Sequence, residues 1–107
     1  MSLDNLEAVD AVGTEADNGT VVLSIVDGWD WVDEQQHLRA LQEKLNAYFA
    51  FVESGQIYEA YPDADGRPLR IDLVSKFSMP QAALAFLEKA SAVAAQLNMT
   101  VAHRIAG

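Results

Sequence analysis

The chain predicts an α+β domain: a five-stranded, mainly antiparallel sheet with two helices on one face, in the order β-β-α-β-β-α-β. Three observations lead there. Short β-branched runs alternate with two segments whose apolar residues recur at helical spacing. Each helical segment follows a capping signal, Asp33-x-x-Gln36 or Ser78-x-x-Gln81. Between the first two strand-like runs stands Asn18-Gly19, a hairpin signal because both residue types tolerate φ > 0. The 107 residues, half of them hydrophobic and 21% charged, make one domain spanning 1–107. A chain of this length buries about 60–68% of the surface its unfolded form exposes, enough for a core without staples.

Residues 1–7 read as a loose lead-in. Residues 8–15 alternate weakly as a first strand, and the clearest strand follows at residues 20–26. There Val21, Leu23 and Ile25 oppose Val22 and Val26, so both faces are apolar. Asp27-Gly28 ends it. Asp33 then caps a helix whose stripe is Leu38, Leu41, Leu45, Tyr48, Phe49 and Val52, with Gly55 at the C′ position. That helix, about 22 residues, would run roughly 33 Å. Ile57, Tyr58 and Tyr61 favour a short strand at residues 56–61, with a helical turn as the other option. A turn by composition, residues 62–68, leads to an alternating strand at 69–77. Its inward residues are Leu69, Ile71, Leu73 and Phe77; Arg70, Asp72, Val74 and Lys76 point outward. Pro80 is tolerated in the first turn of a second helix, which buries Ala83, Phe86, Leu87, Ala90, Val93, Ala94 and Leu97 and ends at Asn98. Residues 99–105 form the last strand. Without the first strand the order is that of ferredoxin-like folds, so that variant stays open, as does strand order.

Charge is distributed unevenly. Residues 1–34 carry nine carboxylates and no Lys or Arg; in residues 35–107 seven acids balance seven bases, so the first third holds the whole net charge of −9. Such a surface argues against nucleic acid and anionic lipid as partners. The apolar runs fall far short of the ~20 residues a membrane span needs, and the N-terminus has no signal-peptide pattern. The sequence contains no Cys, which removes disulfides and thiolate chemistry and fits a reducing cytoplasm. No catalytic signature is present. The expectation is a cytoplasmic protein with no cofactor and no metal, and enzymatic activity is left open, with the balance against it.

Two stretches, Asp27-Gly28-Trp29-Asp30-Trp31-Val32-Asp33-Glu34-Gln35-Gln36-His37-Leu38 and Glu53-Ser54-Gly55-Gln56-Ile57-Tyr58-Glu59-Ala60-Tyr61-Pro62, resemble a family of small acidic bacterial proteins of unknown function. The resemblance covers nearly the whole chain. It implies a bacterial source and a single compact domain, and it carries no active-site residues across.

Several constellations invite a functional reading beside a plainer one. Trp29-Asp30-Trp31 at a helix entrance could present an amphipathic binding patch, since Trp is enriched at interface hot spots. The plainer account packs at least one indole into the core. Asp27, Asp30, Asp33 and Glu34 could bind a hard cation, but they match no EF-hand spacing, and helix capping explains Asp33 and Glu34. His37 stands four residues after Asp33, a possible general base; a boundary histidine donating to the capping carboxylate is the plainer account. Arg70, Asp72 and Arg104 could join Tyr58 on the open sheet face as a ligand surface, although a solvated sheet face needs such a mixed row anyway. Ala40, Lys44, Ala47 and Phe51 form a second narrow row beside the helix stripe, favouring helix packing over a dimer contact.

Two functional expectations follow. The first is a non-catalytic protein-interaction module, inhibitor- or immunity-like, meeting a partner with a basic surface through Asp27, Trp29, Asp30, Trp31 and Glu34. The alternative is a small-molecule-binding or enzymatic domain using Tyr58, Arg70, Asp72 and Arg104. Val22, Val26 and Val74 on one sheet face, with Phe51 off the helix stripe, add the expectation of a homodimer, through the sheet face more than through the helix.

Overall fold

The computed structural model describes residues 11–106. Its strands are β1 (Ala11–Thr14), β2 (Val21–Asp27), β3 (Leu69–Ser75) and β4 (Met99–Ile105). Its helices are α1 (Glu34–Glu53), α2 (Gln56–Ala60) and α3 (Gln81–Gln96), with a 3-10 turn at Pro62–Ala64. The four strands form one mixed sheet in the order β1-β2-β3-β4. β1 runs antiparallel to β2, whereas β2–β3 and β3–β4 are parallel, with Val21 opposite Leu69 and Leu69 opposite Met99. The expected five-stranded, mainly antiparallel sheet is thus corrected to four strands, two of whose three pairings are parallel.

The missing strand is α2. Gly55, at φ +81°, closes α1 by donating its N–H to the Val52 carbonyl (3.1 Å), and the chain turns at once into a second helix. Ile57 is fully buried, so one apolar anchor outweighs the β-propensity of Ile57, Tyr58 and Tyr61. With α1 and α2 between them, β2 and β3 need no hairpin; α3 makes the same kind of crossover from β3 to β4. Such connections are almost always right-handed, and two that step the same way leave their helices on one face.

The hairpin at Asn18-Gly19 forms, with Thr14 opposite Val21. Its turn is longer than a two-residue type I′ loop. Glu15 N–H donates to the Thr20 carbonyl and Gly19 N–H to the Glu15 carbonyl, and Gly19 takes a positive φ (+73°). Asn18 instead uses its side chain, whose Oδ1 accepts from Thr20 N–H at 2.9 Å. Residues 8–10 of the expected first strand and the lead-in at residues 1–7 lie outside the described residues.

Asp33 caps α1 as expected, accepting from Gln36 N–H at 3.1 Å. The second capping box does not form: Pro80 occupies the N-cap of α3, and its carbonyl accepts from Ala83 and Leu84. Asn98 ends α3 with φ +58°, and β4 spans the predicted residues.

One face of the sheet meets the helices. Val21, Leu23, Ile25, Leu69, Ile71, Leu73 and Met99 pack with Leu41, Leu45, Tyr48 and Val52 of α1 and Leu87, Ala90 and Ala94 of α3. The other face carries Val22, Val26, Arg70, Asp72, Val74 and Arg104. Val26 is 46% exposed, but Val22 and Val74 are half-buried, so the expected row of wet valines reduces to one. Phe77 lies past the end of β3 and is exposed, correcting its inward assignment. Phe51 packs against the core from its margin, and Lys44, from the same row, is fully buried with Nζ 5.6 Å from the Tyr48 ring.

Candidate functional site

The polar centre of the molecule lies where β2 and β3 end, the edge at which parallel sheets usually place their ligand sites. Asp27 is the last residue of β2, opposite Ser75 at the end of β3. Both are buried. The chain leaves β2 through residues 28–33, a loop built on carboxylates at every third position. Asp27 Oδ1 accepts from Trp29 N–H at 3.0 Å, Asp30 Oδ1 from Val32 N–H at 3.1 Å and Asp33 Oδ1 from Gln36 N–H at 3.1 Å. These acids are turn formers. Among the described residues no group of three or more His, Cys, Asp or Glu converges to hold a metal ion.

The loop closes on His37, in the first turns of α1. His37 Nδ1 donates to the Asp30 carbonyl at 2.9 Å, because a carbonyl can only accept. Its Nε2 lies 2.5 Å from Asp27 Oδ2, a hydrogen bond between two buried side chains. The Trp31 ring stacks on the imidazole at 3.6 Å between centroids, and the Trp29 ring lies at 5.6 Å, tilted by 56°. Asp27 and His37 are each 1% exposed. The expected His37–Asp33 side-chain pair is therefore corrected: Asp33 touches His37 only through the backbone, where its carbonyl accepts the His37 N–H at 3.1 Å.

Sequence spacing missed two further residues here. His103 of β4 places Nε2 3.2 Å from Ser75 Oγ. Burial holds the His103 imidazole below the ordinary histidine value of 6.5, with the Asp27 charge pulling weakly the other way. Asp27, Ser75 and both histidines thus share the same end of three adjacent strands. Nothing in the linear spacing signals it, since the residues come from four separate elements. The Asp27–His37 pair is buried beside the two indoles and ties the loop to α1.

The predicted surface residues separate accordingly. Asp27 is internal, and Trp29 and Trp31 are half-buried against His37. Asp30 and Glu34 reach the surface together with Asp33, and Val32 between them is 91% exposed. The alternative ligand face also divides. Arg70, Asp72 and Arg104 line a shallow concavity of about 430 Å³ that Glu15 completes; Tyr58 sits apart on α2. Arg70 is already bound at both edges, to Asp72 (2.6 and 3.1 Å) and to Glu15 (3.0 Å twice). Those bonds raise the Arg70 guanidinium further above its usual range, and Arg70 lowers the Glu15 carboxyl below its ordinary value.

The molecule is thus an α+β domain with a closed Asp–His–Trp knot at one sheet edge and a self-paired ionic patch on the open face. The family of unknown function DUF6572 matches residues 1–107, and the chain belongs to that family. No curated protein and no solved structure matches it.

Proposed function

We propose that this domain is a non-catalytic protein-binding module that engages a basic partner through the shoulder at residues 30–34. One observation carries the reading. Val32 stands 91% exposed among the exposed carboxylates of Asp30, Asp33 and Glu34, on a loop whose anchor, Asp27–His37, is fully buried. A loop already held in one shape loses little entropy on binding. The exposed valine supplies an apolar knob, and the surrounding carboxylates steer a cationic surface toward it. The mixed sheet face offers less to a small ligand, because Glu15 and Asp72 already occupy the Arg70 guanidinium.

The test compares captures from the native host by the wild-type domain and by a Val32→Asp/Asp30→Asn/Glu34→Gln variant. A protein held by the first and lost by the second, with an association rate that falls as salt rises, supports the reading. A captured partner indifferent to both the substitutions and salt overturns it.

A further inference from the structure

We infer that this protein pairs with a second copy of itself through the outer edge of β4, the two strands running antiparallel about a two-fold axis at Ala102. Among the described residues β4 is the last strand of the sheet and has a neighbour only on its β3 side. Ala106 N–H donates to the Ser75 carbonyl across that side, so Arg104, Ala102 and Thr100 also turn their backbone groups toward β3. Met99, Val101, His103 and Ile105 then offer theirs to the free edge. A free edge of seven residues with no proline and one full charge is a surface that soluble proteins seldom leave open.

Self-complementarity selects the occupant. A two-fold axis at Ala102 is the antiparallel register that pairs all seven residues. It sets Met99 opposite Ile105, Thr100 opposite Arg104 and Val101 opposite His103. Each outward-facing residue meets another outward-facing one, so the ladder hydrogen bonds can form, and Arg104 never faces its own copy. Ile105, 50% exposed, gains the buried Met99 side of the partner strand as a neighbour. Above the edge, the flank of α3 turned away from α1 carries Leu84, Ser91 and Ala95, because Phe86, Lys89 and Val93 line the groove toward α1. Leu84 is 45% exposed, and Glu88 is the one charge on that flank.

Charge favours the same edge. The net charge of −9 resides in residues 1–34, and the rest of the chain is neutral. β1 and β2 belong to that acidic third and sit on the far side of β3 from β4. Asp30, Asp33 and Glu34 lie on the loop after β2, Glu15 is paired with Arg70, and β4 itself carries no carboxylate. A dimer through β4 therefore brings no strand carboxylate into the seam. The sheet face is the weaker route, since the Arg70 ion pairs cross it and only Val26 among its three valines is exposed.

Sedimentation velocity of the full chain, from low micromolar to submillimolar concentration, tests the inference. The wild type should sediment as a concentration-dependent dimer. Val101→Pro, which removes an outward N–H and no bond to β3, and Leu84→Lys/Ile105→Lys should each weaken dimerisation by about tenfold or more. The lysines enter half-exposed positions, so that variant keeps its fold, verified by circular dichroism. Val26→Lys on the open face should leave the dimer intact. In the wild-type dimer, the amides of Val101, His103 and Ile105 should exchange slowly with solvent deuterium. A monomer at every concentration, a dimer lost on Val26→Lys but kept in the β4 variants, or fast exchange at those three amides would overturn it.

Discussion

Asp27 does two jobs with two oxygens. Oδ1 turns the chain by accepting the Trp29 amide, and Oδ2 holds His37 under the indoles of Trp29 and Trp31. Replacing it with Ala strips both partners inside a site 1% exposed, and breaking a buried pair of this kind costs about 3–5 kcal/mol. Asn is a different change. Its Oδ1 can still accept from Trp29, and its amide can donate to a neutral His37 Nε2 while Nδ1 keeps the Asp30 carbonyl. Asp27→Asn should therefore cost far less than Asp27→Ala in urea denaturation. Equal losses would mean that the carboxylate charge, rather than the hydrogen bonds, holds the loop. This pairing is not legible in the sequence. Helical spacing offers His37 the acid four residues earlier, and only the return of the loop onto α1 brings Asp27, ten residues away, to the imidazole.

At the scale of elements, the sequence is legible wherever one residue decides a boundary. Asp33 starts α1, Gly55 ends it, and Asn98 ends α3. Strand direction is illegible for a physical reason. Leu69 to Ser75 alternates buried and half-buried because helices cover only one face of the sheet, and that one-sided burial imitates the pattern of an antiparallel strand. A parallel sheet clad on both faces would read as a continuous apolar run. α2 passes for a strand because five residues with a single buried anchor carry too short a period to separate the two. Its position depends on Gly55, whose φ of +81° is the left-handed region, with no atom beyond its own chain neighbours within 4 Å of the place a Cβ would take. Gly55→Ala should thus cost the conformational term alone, about 1–2 kcal/mol. Gly13 in β1 has the same open space and no positive φ. Gly13→Ala should be neutral or stabilise by about 0.4–1 kcal/mol through the unfolded chain. Thermal melts of the two variants check the pair, and a comparable loss in both would show that something other than backbone conformation governs Gly55.

For the whole molecule, two electrostatic effects compete as pH falls from 8 toward 5. Protonation reduces a net charge of −9 and relieves self-repulsion, which favours the folded state. Against it stands His103, whose burial beside Ser75 lowers its affinity for a proton below the ordinary 6.5. In that window the unfolded chain binds the proton more readily than the folded one. Stability from His103 is then fully present above pH 6.5 and is lost as pH falls through that value toward the lower folded one. Glu15 acts in the same direction only in stronger acid, below its ordinary 4.5, and weakly, because it lies at the surface. The repulsion is spread over exposed carboxylates that salt screens within about 8 Å at physiological ionic strength, whereas His103 is partly sheltered. The local effect should therefore win. The wild-type melting temperature should fall between pH 7.5 and 5.5 at physiological salt, and His103→Gln, whose amide can still reach Ser75, should flatten that slope. A melting temperature that rises on acidification, or a slope unchanged in the variant, would show that the acidic third of the chain governs stability instead.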